Sequence, residues 1–105
     1  MLFSKFESVF TQEIQNICSQ NPDPSHDFAH VLRVVSLAKK LGAEEGADLE
    51  VVVPAAYLHD FEFIGKDDPR RSMASSLSAQ KAAPFLKGLG YSDSLVAGIC
   101  HAIQA

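Results

Sequence analysis

The sequence has 105 residues, 47% of them hydrophobic, which fits a single domain with a modest core, since small domains bury a smaller share of their surface. A formal net charge of −4 and only 9% aromatic residues leave no basic footprint for general nucleic-acid binding or for attraction to anionic lipid. A nucleotide ligand would need only a local basic cluster.

The chain opens with "MLFSKFESVF", which lacks the basic head and unbroken apolar stretch of a signal peptide, and no apolar run approaches the ~20 residues that span a bilayer. Cys18 and Cys100 are too few and too far apart for a disulfide framework, and there is no CxxC metal pattern. Free thiols fit a cytoplasmic protein, so no membrane partner is expected.

Phe3, Phe6, Val9, Phe10, Ile14 and Ile17 recur at steps of three and four, which predicts an amphipathic first helix whose phenylalanine stripe packs as core. "NPDPSHD" breaks that helix with two prolines and offers Asp23 or Ser25 as a cap for the next. Val31, Val34, Val35, Leu37, Ala38 and Leu41 then mark a second helix, with Gly42 and Gly46 as expected stop signals. The third segment, "ADLEVVVPAAYLHD", is ambiguous, because three consecutive valines favour a strand. Leu49, Val52, Val53, Ala56 and Tyr57 keep helical spacing, however, and Asp48 is placed to cap a helix in which Pro54 costs or kinks a turn.

After the polar loop "GKDDPR" comes "SMASSLSAQKAAPFLKGLG", a helix of small residues where Ser75 and Ser76 permit close packing. "SDSLVAGICHAIQA" opens on a Ser-x-Ser cap and stays helical to the last residue, with no terminal stop signal. The expectation is a bundle that is incomplete at its C-terminus, leaving Val96, Ile99 and Ile103 uncovered and favouring a homo-oligomer through an exposed C-terminal helix. There are no repeats, low-complexity tracts or linkers, so residues 1–105 read as one all-α domain of about five helices.

Two His-Asp pairs stand out, His26-Asp27 and His59-Asp60. His26 and His30 lie four apart, on one face of the second helix if it begins by then. Neighbouring helical side chains diverge by ~100°, so His59 and Asp60 can reach a common ion only where their helix ends, which suits a metal cradle between two helices. The structural alternative is a buried His bonded to a carbonyl and an Asp serving as a cap.

"SHDFAHVLRV", followed after an intervening helix by "AAYLHD", resembles the HD superfamily of metal-dependent phosphohydrolases, whose pattern is H…HD…D. The likeness runs on through "KDDPRRSMASSLSAQKA" and "ICHAIQA", as in a bacterial branch of HD-domain hydrolases, and covers roughly residues 20 to 105. It implies an HD-domain helical bundle acting on nucleotides or other small-molecule phosphate esters. His30, His59 and Asp60 become metal ligands, while the family's fourth ligand, an Asp, lies downstream of any matching residue; Asp93 comes too early. His26, Asp27 and Asp60 are the implied catalytic-site group, with helix capping as the other reading of the first two.

Two imidazoles with carboxylates suit Mn, Fe, Co or Mg with open positions for water and phosphate oxygens better than a closed structural zinc site. Such an ion polarises a phosphoryl oxygen and activates water. Arg33, Lys66 and Arg71 are the implied substrate-binding cations, each also open to a plain surface role; in the resembled branch Lys66 and Arg71 correspond to residues near the substrate phosphates. Glu62 reads as solvent-facing rather than as a base, and His101 as a core or helix-face residue. The alternative function is a truncated, non-catalytic HD-like module that binds metal or a phosphate ligand or serves in assembly. A helical interaction domain with purely structural histidines is a third.

Overall fold

The computed structural model describes residues 1–20, 28–62 and 67–104, and these form five α-helices: α1 (Leu2–Ser19), α2 (Phe28–Glu45), α3 (Leu49–Leu58), α4 (Ala74–Gly88) and α5 (Asp93–Gln104). Among the described residues there is no strand, and no helix is long and apolar enough to cross a membrane. Asp23 and Ser25, the expected caps of α2, lie outside the described residues.

The valines that favour a strand locally lie in α3, whose N-cap is Asp48; its side chain accepts from the Glu50 amide at 2.9 Å. Tertiary context decides the matter. Val53, Pro54, Ala55, Ala56, Tyr57 and Leu58 are consecutive and all buried, so α3 is apolar on every side, as expected of a helix packed against α1, α2 and α5. Pro54 lies within the helix and is tolerated there.

α1 buries Phe3, Phe10 and Ile14 against this centre, and Phe10, fully buried, meets Tyr57, Phe85 and Tyr91 at ring-centroid distances of 5.4, 6.2 and 6.4 Å. Val9 departs from the expected stripe. At ~100° per residue it falls well to one side of the line through Phe3, Phe10 and Ile14, and it is exposed.

On α2 the buried stripe is Val31, Val35 and Gly42, while Leu37 and Leu41, which helped to mark the helix, are 55% and 42% exposed. Gly42 is not a stop. It lies inside α2 where a Cβ would stand 2.7 Å from a Leu49 methyl and 3.3 Å from one of Val52, so its missing side chain lets α2 and α3 approach. Gly46 is the stop: its φ of 73° and the 2.9 Å bond from the Ala47 amide to the Gly42 carbonyl make a Schellman end.

α4 follows a single 3₁₀ turn at Arg71–Met73 and buries Ser78, Ala79, Ala82 and Leu86 along the side that packs on α5. Ser78 fills the close-packing role expected of Ser75, which is exposed, and Ser76, half-buried. The Ser92 hydroxyl accepts from the Leu95 amide and opens α5. Val96, Ile99 and Ile103 are 4%, 0% and 6% exposed. The expectation that they lie uncovered is overturned: α5 turns this face onto α3 and α4.

Candidate metal centre

His30 is the third residue of α2, one position before the buried Val31, which sets it at the edge of the α2–α3 contact. α3 ends at Leu58, and the chain tightens there, with the Phe61 amide bonded to the Leu58 carbonyl at 3.1 Å. His59, the C-cap of α3, and Asp60 therefore stand on the turn that ends the helix. The His30 and His59 rings are 6.0 Å apart between centroids at 63°, and His59 Nε2 is 3.2 Å from Asp60 Oδ2. One potential ligand atom from each of His30, His59 and Asp60 lies within 4.8 Å of the others, and all three residues are half-buried.

The donor set fits a divalent ion. His59 Nδ1 is 2.6 Å from the Ala56 carbonyl, a position in which Nδ1–H donates and Nε2 is left facing the cluster. The tautomer follows from that geometry. Such a backbone acceptor behind an imidazole is the usual way a metal-ligating ring is oriented. The hydrogen bond to Asp60 raises the His59 pKa above its ordinary value, opposed by burial and assisted by the Ala56 carbonyl. A proton or a metal ion would serve this pair alike, each satisfying a carboxylate set against a ring nitrogen.

The other expected site residues are only partly described. His26, Asp27 and Lys66 lie outside the described residues. Arg33, exposed on α2, lines a shallow groove of about 420 Å³ with Leu32, Ser36, Leu37 and Lys40, all on the same helix. In the basic loop Arg70 is engaged with Asp68: its Nε and Nη2 donate to the carboxylate at 3.2 and 3.1 Å, and its amide donates at 2.8 Å. Those bonds hold the Asp68 carboxyl below its usual value. Arg71 is exposed at the head of the 3₁₀ turn. Glu62 directs its carboxylate towards Lys81, 3.9 Å away, and His101 is exposed on α5.

Two residues at this site had no signal in the sequence. The Ser78 hydroxyl accepts from the Glu62 amide at 3.0 Å, and Lys81 Nζ donates to the Phe61 carbonyl at 3.2 Å. Helical spacing announces that Ser78 and Lys81 share a face, but not that this face meets the residues after Asp60.

No curated protein and no solved structure matches the chain. The family model described as HD domain matches residues 27–104, a span that holds His30, His59 and Asp60 and all of α2 to α5, and the chain therefore belongs to the HD superfamily of metal-dependent phosphohydrolases.

Proposed function

We propose that the chain holds one divalent cation on His30, His59 and Asp60 and hydrolyses a phosphate ester, with nucleotides as the preferred substrate class. The observation that carries this reading is the orientation of His59: Nδ1 is committed to the Ala56 carbonyl, and Nε2 faces Asp60 with His30 alongside. Mn, Fe, Co or Mg suit two imidazoles and a carboxylate with positions left for oxygen ligands. When bound, such an ion supplies Lewis-acid polarisation of a phosphoryl oxygen and lowers the pKa of water at its open positions.

The chain's own residues do the rest. His30 and His59 offer neutral nitrogens, and Asp60 offers negative charge that balances the cation. Arg71, with Lys66, neutralises phosphate charge and orients the ester. His26 and Asp27, which lie outside the described residues, are assigned to support of the metal ligands or to substrate contact, and Arg33 to phosphate binding.

Elemental analysis of the purified chain beside His59→Ala and Asp60→Ala variants tests the ligand set, and Mn2+-dependent hydrolysis of a nucleoside triphosphate and monoester panel tests the activity. About one ion per chain, absent from both variants, with turnover that follows the ion, is the expected result. Stoichiometric metal without turnover would replace the hydrolase by a metal-binding module. A folded chain that takes up no ion after Mn2+ loading would end both readings.

A further inference from the structure

Asp60 lies beyond the last residue of α3, on the turn that the Phe61 amide closes onto the Leu58 carbonyl. α4 grips the residues that follow it. The Phe61 ring, buried, stands edge-on to Phe85 at 5.1 Å, and Lys81 Nζ lies 4.6 Å from its centroid while donating to the Phe61 carbonyl. One residue further, the Ser78 hydroxyl takes the Glu62 amide and lies 3.5 Å from the Glu62 carbonyl. Ser78, Lys81 and Phe85 are spaced by three and four residues, so a single stripe of α4 meets two consecutive residues of the turn.

Each of these side chains is an odd choice for packing alone. Ser78 is 1% exposed in a row of alanines and leucine, where a hydroxyl is unfavourable unless hydrogen-bonded. Lys81 is exposed on α4, yet its ammonium reaches a backbone carbonyl, that of Phe61, as well as the Glu62 carboxylate 3.9 Å away. We infer that Ser78 and Lys81 are positioning residues for the metal centre: by pinning the backbone of Phe61 and Glu62 they set where the Asp60 carboxylate meets His59 and His30. The inference rests on the metal reading above. A ligand already held in place binds its ion more tightly than one that must be ordered on binding, and partners one step removed from a metal commonly change affinity 10–100-fold.

The test titrates Mn2+ alone into the metal-free chain, following free ion by electron paramagnetic resonance, for the wild type and for Ser78→Ala, Lys81→Met and Lys81→Arg. Thermal unfolding of each metal-free protein is recorded in parallel. Lys81→Met keeps the apolar stem over Phe61 and loses the donor; Lys81→Arg keeps donor and charge. Ser78→Ala and Lys81→Met should each weaken Mn2+ about tenfold, and Lys81→Arg should recover most of that loss. Lower melting temperatures with unchanged Mn2+ affinity would reduce both residues to packing and overturn the inference. Should Ser78→Ala fail to fold, the two Lys81 variants decide alone. A folded wild type that binds no Mn2+ rejects the metal reading and the inference with it, whereas wild-type binding that Asp60→Ala abolishes and Lys81→Met and Ser78→Ala leave intact rejects the inference only.

Discussion

The two ends of α3 serve different purposes. At the start, Asp48 caps its own helix, and the Glu50 carboxylate reaches across to accept the Leu2 and Phe3 amides at 3.0 and 3.1 Å, closing the first turn of α1. Beside this end Gly42 lets α2 approach α3 closely. At the finish the helix gives way to a turn bonded from α4, by Ser78, 16 residues beyond its partner Glu62, and by Lys81, 20 residues beyond its partner Phe61. The first end assembles the bundle, and the second presents half-buried polar groups to each other. Directed hydrogen bonds thus serve at both ends of the same helix, tying α3 to α1 where it builds the fold and tying the following turn to α4 where it builds the site.

That contrast breaks most sharply under substitution at the far end. His59→Ala and Asp60→Ala should each take bound metal from about one ion per chain to none by elemental analysis. The free energy of metal-free unfolding should move by about 1 kcal/mol or less, the usual scale for a partly exposed ion pair. A loss of several kcal/mol in denaturant titration would mean that the pair is part of the scaffold after all.

Phe10→Ala reverses the pattern. Phe10 is fully buried among Tyr57, Phe85 and Tyr91, so truncation should cost about 3–5 kcal/mol in urea-induced unfolding. Mn2+ stoichiometry, measured where the variant is still folded, should not change. Metal lost in step with stability at that temperature would show that the aromatic core and the metal centre are not separable.

The same division governs what the sequence made legible. Helical periodicity located five helices, and Asp48, Ser92 and Gly46 announced themselves because capping and φ > 0 are local requirements. His30, His59 and Asp60 were visible through their order and residue types. Expectations about coverage failed for one reason: whether a residue is covered depends on a partner helix that periodicity does not name. Leu37 and Leu41 satisfy the spacing of α2, yet its buried stripe passes through Gly42; Val96, Ile99 and Ile103 were assigned no partner, yet α5 has one. Ser78 and Lys81 failed differently, since their hydrogen bonds join residues 16 and 20 positions apart.

Glu50 tests the near end with a smaller effect. Its carboxylate satisfies two amides that would otherwise end α1 without a side-chain cap, since Met1 provides none. Glu50→Ala should cost about 1–2 kcal/mol in unfolding free energy, and hydrogen exchange should quicken in the first turn of α1 while the α4 amides keep their protection. Uniform loss of protection would instead make Glu50 a determinant of global stability rather than of one junction.

Tyr91 gives the smallest effect and the most specific pH signature. Its hydroxyl is buried with no hydrogen-bond partner among the described residues, beside Phe6 and Phe10. Burial, with a contribution from the Glu50 charge, pushes its pKa up to about 12 from 10.0. At neutral pH Tyr91→Phe removes only an unsatisfied hydroxyl, so it should be neutral or stabilising by a few tenths of a kcal/mol, about the least that burial without a partner can give back. Because the folded pKa lies above the unfolded one, the native state holds its proton more firmly, and the neutral phenol's contribution is fully present below pH ~10. Between pH ~10 and ~12 the wild type should therefore lose stability relative to Tyr91→Phe, at about 1.4 kcal/mol per pH unit. Paired denaturant titrations at pH 9 and pH 11, run as differences so that other titrating groups cancel, should show this gap opening. Combining Tyr91→Phe with Glu50→Ala sharpens the comparison, since without the Glu50 charge the wild-type tyrosine should ionise earlier and the gap should narrow. A gap that is independent of Glu50 would leave burial as the whole cause of the shift.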